Sequence, residues 1–161
     1  MEPRVEKLAL VLWRERELLD TLLYRLEVEQ LLLTNHRSDH LARAASDVEA
    51  VLDTIRQTEI LRAVAADEAA AALGLAPSPS LKDLADASEE PWRSILLEHR
   101  EAFTATTNRL TDMAETNRDL LTVGWQAARA ALAELDEPTS YASDGHAVGG
   151  NRVARLFDGS L

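Results

Sequence analysis

A stripe of mostly apolar residues, with alternating spacings of four and three, runs along the chain from Trp92 to Leu135. An α-helix with this spacing keeps one face toward a partner over many turns, as in helical bundles and coiled coils. At about 1.5 Å per residue the predicted helix is about 65–70 Å long, so part of it should extend beyond a compact domain. The stripe comprises Trp92, Leu96, His99, Phe103, Thr106, Leu110, Met113, Asn117, Leu120, Gly124, Ala127 and Ala131.

A second stripe predicts an N-terminal helix of about 30 residues that begins near Pro3. It is formed by Val5, Leu8, Leu12, Leu19, Leu22, Leu23, Leu26 and Leu33. The same register places Glu15 and Glu29 at inward positions, where an unpaired carboxylate would cost several kcal/mol. Either these acids lie at the edge of the seam and pair with Arg on a neighbouring helix, or they set the register or receive a cation from a partner.

The middle of the chain predicts a second long helix between two breaks. Polar residues from Thr34 to His40 indicate a tight turn, in which Ser38 is the expected N-cap. Gly74 is the expected C-cap, and Pro77 and Pro79 end the helical pattern directly after it.

A short helix and the start of the last long helix follow these prolines. Ser80 and Asp83 form a capping-box pattern that predicts one short helix through Ala87, and the acidic segment Ser88 to Pro91 suits a helix N-terminus. Together the patterns predict an all-α fold over residues 1–135, an elongated antiparallel, coiled-coil-like bundle of three long helices and one short helix. Residues 136–161 are rich in Pro, Ser, Thr, Gly and Asp, which predicts a mostly disordered, flexible tail.

Composition and charge narrow the classes of partner. The 161 residues are 46% hydrophobic, which is enough for one domain with its own core, and only 4% are aromatic, which favours a seam of Ala and Leu between helices. A net charge of −11 argues against nucleic acid or an anionic membrane as a partner. The sequence has no Cys, and its apolar stretches are too short for a signal peptide or a membrane span, so we expect a cytoplasmic protein.

Candidate catalytic and metal-binding residues are few. His36 and His40, with Asp39 beside His40, have the spacing of two metal ligands on one helical face, but they lie in a predicted turn and no Glu is positioned as in zinc proteases. His99 lies inside the last stripe and is better explained as a histidine at the edge of the core. No histidine follows a Glu at the spacing of a di-iron bundle, so we predict no catalytic site, no metal and no cofactor.

The last helix offers a candidate binding surface for another helix. Small residues at Gly124 and Ala128 would let a helix approach closely, and Asn117 could fix its register by hydrogen bonding. The alternative is that this surface packs against the first helix of the same chain. On the binding interpretation, the predicted contact residues are Met113, Asn117, Leu120, Leu121, Gly124 and Ala128.

Several elements, in this order, resemble the FlgN family of flagellar type III export chaperones. The first helix carries a Leu-rich seam with interspersed Glu, from Leu19 to Glu29, and the second helix carries a Glu-Arg region from Glu59 to Arg62. The last helix holds the element Asn-x-x-Leu-Leu at 117–121, and a segment with Thr139, Tyr141 and Gly145 follows it. The resemblance extends to about residue 148, and the chain departs from it in the Pro-rich connection at 75–80, the Ala-rich second helix and the extension beyond Gly145.

The resemblance implies a non-enzymatic chaperone. Such a protein binds the C-terminal amphipathic helices of hook-filament junction (hook-associated) proteins in the cytoplasm, keeps them unassembled and delivers them to the membrane export gate. By resemblance, Asn117, Leu120 and Leu121 contact the client, and Tyr141, with Gly145 nearby, contacts the gate. We expect a monomer or a weak homodimer.

Three further interpretations stay open. The last stripe could serve a structural coiled-coil protein that associates with itself and has no client, and a metal-dependent bundle enzyme is a more distant alternative. Val153, Leu156 and Phe157 have helical spacing, so the tail could occupy the client surface until a client displaces it. The alternative for these three residues is a solvated chain end.

Overall fold

The computed structural model describes residues 2–135, which form four α-helices and one short 3-10 helix. Helix α1 spans Glu2–Thr34, α2 spans Leu41–Leu73, α3 spans Leu81–Asp86 and α4 spans Trp92–Leu135, and the 3-10 helix spans Ser38–His40. The predicted all-α bundle of three long helices and one short helix is confirmed. The tail predicted for 136–161 lies outside the described residues.

Contacts between charged residues fix the direction of α2 relative to α1. Lys7 Nζ lies 2.9 Å from Glu68 Oε2 near the start of α1, whereas Arg25 Nη1 lies 3.5 Å from Asp47 Oδ2 near its end. Residue numbers therefore increase along α1 in the direction in which they decrease along α2, and the two helices form an antiparallel hairpin.

Helix α4 runs parallel to α1, and therefore antiparallel to α2. His99 of α4 contacts Arg16 of α1, and Asn117, further along α4, contacts Leu26 and Glu29. Helix α2 ends beside the start of α1, and the short helix α3 and its flanking loops keep the chain at this end of the bundle until α4 begins. Because α1 has 33 residues and α4 has 44, the end of α4 extends beyond α1.

The connections confirm most of the predicted caps. Gly74 adopts a left-handed conformation with φ of 74°, and the N–H of Leu75 donates to Ala70 O at 2.8 Å, as expected for a glycine C-cap. The predicted capping box is present, because the Asp83 N–H donates to Ser80 Oγ and the Ser80 N–H donates to Asp83 Oδ2, each at 3.1 Å. These hydrogen bonds lower the pKa of Asp83.

The prediction that Ser38 caps α2 was wrong. The residue before α2 is His40, and it makes no side-chain cap hydrogen bond. Ser38 instead opens the 3-10 helix, because the chain leaves α1 through His36, whose φ is 56°, and needs one further turn before α2 begins. Ser38 lies three positions before Leu41, the first helical residue of α2, so it is too early in the chain to act as the N-cap.

The core follows the predicted stripes with one shift in register. On α1 it includes Leu8, Leu12, Leu19, Leu22 and Leu26, and on α4 it includes Leu96, His99, Phe103, Leu110, Ala114 and Asn117. Ala114 is buried where the sequence predicted Met113, which is only half-buried. A straight α-helix drifts by about 20° per seven residues relative to a strict heptad, so the buried position moves by one residue along a long helix.

Candidate protein-binding surface

The end of α4 extends past the part of the bundle that covers it. Asn117 is the last buried residue of α4, and every residue from 122 to 135 is exposed. Asn117 is level with Leu26 and Glu29, and α1 ends at Thr34, so α4 passes the end of α1 near residue 125. Its last ten or so residues therefore extend about 15 Å beyond α1.

The apolar face of α4 continues without interruption into this exposed part. From Ala114 and Asn117, which are buried, the same face passes through residues 121, 125, 128, 132 and 135 at spacings of three and four. We call this continuation the distal face; it consists of Leu121, which is half-buried, and the exposed residues Gly124, Trp125, Ala128, Leu132 and Leu135. The same stripe thus forms the core over the first half of α4 and a surface over the second half.

The distal face is apolar, open and bordered by charged residues. Exposed fractions are 40% for Trp125, 67% for Leu132 and 82% for Leu135. A Cβ atom added at Gly124 would meet no heavy atom within 4 Å, so the space beside this residue is free. The guanidinium of Arg129 lies 5.3 Å from the ring centroid of Trp125, at the edge of the face. Large apolar side chains that remain exposed together in this way mark surfaces that bind other proteins.

The predicted client-binding residues fall into three environments. Met113, Leu120 and Leu121 are half-buried, whereas Gly124 and Ala128 are exposed. Asn117 is buried within the bundle. The structure thus brings Leu121, Gly124 and Ala128 together on the distal face. The gate residues Tyr141 and Gly145, and the tail residues Val153, Leu156 and Phe157, lie outside the described residues.

Asn117 is engaged by α1 of the same chain. Its Nδ2 donates to Leu26 O at 2.9 Å and to Glu29 Oε1 at 3.1 Å. Burial raises the pKa of Glu29, and the hydrogen bond from Asn117 opposes that rise. Asn117 therefore fixes the register between α1 and α4 inside the chain, at the last fully buried position of α4. Of the two interpretations given for this surface, packing against the first helix of the same chain is the one that applies to Asn117.

A polar layer lies beneath the covered half of α4. The Glu15 side chain is fully buried, and Arg62 of α2 donates to it at 3.0 Å and also contacts Glu59 at 3.4 Å. The prediction that Glu15 pairs with Arg on a neighbouring helix is confirmed, but its expected position at the edge was wrong. Burial raises the pKa of Glu15 to about 9, and the nearby Glu59 adds to the rise while Arg62 opposes it.

His99 belongs to the same layer and is buried more deeply than predicted. It is 1% exposed, and Arg16 Nη1 lies 3.4 Å from its Nδ1. Because an Arg nitrogen can only donate, Nδ1 is the acceptor and the ring proton of neutral His99 is on Nε2. Burial, followed by the charge of Arg16, lowers the pKa of His99 to about 4. The position of this histidine inside the bundle gives it a structural role.

Two exposed apolar surfaces were not predicted from the sequence. The first is the distal part of the face itself, where Trp125, Leu132 and Leu135 were not named as contact residues. The second lies on the outer side of α2, where Ile60, Leu61 and Val64 are 67%, 61% and 51% exposed. The distal residues could have been found by continuing the stripe from Ala114 rather than from Met113.

The described residues contain neither a candidate metal centre nor a candidate membrane span. No group of three or more His, Asp or Glu side chains within residues 2–135 could hold a metal ion. None of the helices in this part of the chain is both long and apolar enough to cross a bilayer.

The comparison with protein families agrees with this architecture. The family model described as "FlgN protein" matches residues 1–145. The chain belongs to the FlgN family. This family is one of flagellar export chaperones that bind hook-associated proteins, so membership implies a chaperone role. Neither the curated proteins nor the solved structures provide a match to the chain.

Proposed function

We propose that the distal face of α4 binds the C-terminal amphipathic helix of a hook-filament junction protein. The observation that carries this proposal is the continuation of the core stripe beyond the end of α1. A face with apolar residues at spacings of three and four fits the apolar side of another helix, and Gly124 and Ala128 leave room for its backbone. The client helix takes, along the distal face, the place that α1 takes along the first half of α4.

The energetics suit a chaperone that must hold a client and later release it. Four large apolar anchors on a client helix gain roughly 6–12 kcal/mol when they are buried. Ordering a disordered client segment costs about 2–5 kcal/mol, which leaves affinities in the micromolar to nanomolar range. The net charge of −11 on the chaperone favours a neutral or basic client segment.

Calorimetric titration of the full chain with the C-terminal segments of the junction proteins from the same genome tests this proposal. We expect saturable binding of one client to one chain. Leu132→Asp should weaken binding at least about tenfold, because it places a charge in the centre of the apolar contact. The matched control is Ala130→Asp, which adds the same charge on the opposite side of α4. Equal affinities of the two variants, or the absence of any complex, would contradict the proposal.

Delivery to the membrane export gate forms the second part of the proposed function. By family resemblance, Tyr141 with Gly145 nearby contacts the gate, and neither residue belongs to the distal face. Tyr141→Ala should therefore keep its affinity for the client and lose capture by the cytoplasmic domain of the gate. Unchanged capture in a pull-down of the loaded complex would remove Tyr141 from this role.

A further inference from the structure

The uncovered part of the distal face is short and ends at the point where residues 136–161 leave α4. Helix α1 covers α4 up to about residue 125, so the face is free over about 15 Å, from Trp125 to Leu135. Trp125, Leu132 and Leu135 are its large, exposed apolar residues. A segment that fits this space needs only about two helical turns and one apolar side.

The sequence beyond α4 contains a segment with these properties. Val153, Leu156 and Phe157 have spacings of three and four, so a helix in this segment would carry them on one side. Asn151 and Gly159, which flank the segment, are residue types typical of a helix N-cap and of a helix C-cap. The seven residues between these two would form a helix about 10 Å long, which fits within the free part of the face.

We infer that residues 152–158, which we name the tail segment, bind the free part of the distal face when no client is present. This inference rests on the proposed function in one respect, because the tail segment then competes with the client for the same surface. A helix of two turns is unstable by itself in water, so the contact is weak. A longer client helix displaces the tail segment, and the apolar face stays covered until then.

The length of the connection favours the distal face over the exposed apolar surface on the outer side of α2. As a flexible chain, the 16 residues 136–151 would span about 20–24 Å, which is close to the length of the free face. The α2 surface is level with Arg62, which contacts Glu15 of α1, and this level is roughly 45 Å from Leu135 along the bundle. An intramolecular contact is strongest when the average length of the connection matches the distance that it must span.

Charges favour an antiparallel arrangement of the tail segment on α4. The guanidinium of Arg129 lies over the ring of Trp125, at the base of the free face. No carboxylate in the described part of the chain forms an ion pair with Arg129. An antiparallel tail segment brings Asp158 toward this guanidinium and keeps Arg152 about 9 Å further away, whereas a parallel one would exchange the two. The tail segment is basic as a whole, and the net charge of the chain is −11, which also favours the contact.

Disulfide formation within one chain tests the contact without any client. The chain has no cysteine, so two substitutions introduce the only pair of thiols. Ser160→Cys with Ala128→Cys, on the distal face, should close at least about fivefold faster than Ser160→Cys with Ala130→Cys, on the opposite side of α4. The two pairs are almost equally far apart along the chain, so a tail that does not bind would give nearly equal rates. The substituted positions of α4 are exposed, and circular dichroism checks that the variants fold.

Three outcomes of this experiment would overturn the inference. Nearly equal rates for the pairs at 128 and 130 would show that the tail segment does not bind the distal face. Fastest closure in a third variant, Ser160→Cys with Val64→Cys, would place the tail on the α2 surface instead. A predominance of disulfides between chains, at concentrations of a few micromolar or less, would show that another copy covers the face.

Calorimetric titration with a client segment tests the competition. If the tail segment covers the face in about two chains out of three, the apparent client affinity is about threefold weaker than that of an open face. Leu156→Asp removes an apolar anchor and should therefore raise client affinity about threefold. Asn151→Asp adds the same charge outside the apolar side and keeps a residue suited to an N-cap, so it should leave the affinity unchanged. Equal client affinities of the parent chain and Leu156→Asp would contradict the inference.

The tail contact and the proposed function can fail separately in these experiments. Disulfide closure needs no client, so fast closure of the pair at 128 and 160 in a chain that binds no junction protein would leave the tail contact standing and remove the proposed function. Client binding that Leu156→Asp leaves unchanged, together with equal disulfide rates, would remove the tail contact and leave the proposed function standing.

Discussion

The two halves of α4 carry the same apolar pattern but have opposite environments. Over residues 92–117 the apolar face is the core of the bundle, with Leu96, Phe103 and Leu110 fully buried. Over residues 122–135 the same face is solvent-exposed, because α4 extends beyond the end of α1. The comparison shows that a stripe of apolar residues predicts packing against another helix. The lengths of the neighbouring helices decide whether that helix comes from the same chain or from another protein.

The largest expected difference between the halves is in stability. Phe103→Ala should lower the free energy of unfolding by about 3–5 kcal/mol, because it leaves a cavity in the covered half. Trp125→Ala should change it by less than about 0.5 kcal/mol, because the ring lies on the exposed half. Urea denaturation of both variants measures the two values. Similar losses for both would show that the distal half also belongs to the core of the free chain.

The polar layer beneath the covered half should give stability a pH dependence that the distal half lacks. Because the pKa of Glu15 rises from 4.5 to about 9 on folding, its contribution is fully present below pH 4.5 and is lost as pH rises toward 9. The free energy of unfolding should therefore fall by a few kcal/mol between pH 5 and pH 9. Urea denaturation at several pH values measures this fall, which Glu15→Gln should reduce, since Gln keeps the neutral form.

Other titrating groups face Glu15. They are present in both the parent chain and the Glu15→Gln variant, so they do not contribute to the difference between the two. Arg62 and Glu59 contact it from α2, and His99 lies in the same layer with a pKa lowered to about 4. The contribution of His99 to stability is lost as pH decreases from 6.5 to 4, which is below most of the pH range over which Glu15 acts. This loss is the same in the parent chain and in the Glu15→Gln variant. Glu17→Gln, at an exposed position of α1, is the matched control, and an equal effect from it would refute the assignment to Glu15.

A smaller effect is expected at the boundary between the halves. Asn117→Ala removes the donor to Leu26 O and Glu29 Oε1, so it should cost about 1–3 kcal/mol of stability. Asn108→Ala, at an exposed position of the same helix, is its control. If Asn117 acts only within the chain, the client affinity of the folded Asn117→Ala variant should stay within about threefold of the parent value. A large loss of client affinity at unchanged stability would instead give Asn117 a direct role in client contact.

Much of this fold could be predicted from local chemistry. The helix stripes, the Gly74 C-cap, the Ser80–Asp83 capping box and the inward position of Glu15 all depend on residues close in sequence or on helical spacing. The failure at Ser38 arose because an extra 3-10 turn separates it from α2. That turn depends on how the chain leaves α1, which the pattern of residue types does not specify.

The candidate site was harder to predict because it depends on the relative lengths and offsets of helices. The sequence placed Asn117 and Leu121 on one binding surface, but Asn117 lies where α1 still covers α4 and Leu121 lies at the edge of that cover. The apolar face is shifted by one residue relative to the predicted heptad register, so it includes Trp125, Leu132 and Leu135, which the sequence analysis did not name. Only the alignment of α1 beside α4 shows where the covered half stops.

Hydrogen exchange followed by mass spectrometry tests the central claim most directly. At concentrations where the chain is monomeric, amides of residues 121–135 should exchange much faster than those of residues 96–117. A junction-protein C-terminal segment should then slow exchange in residues 121–135 and leave the covered half nearly unchanged. Protection that appears elsewhere, for instance around Ile60 and Val64, with no change in residues 121–135, would contradict the assignment of the distal face as the client site.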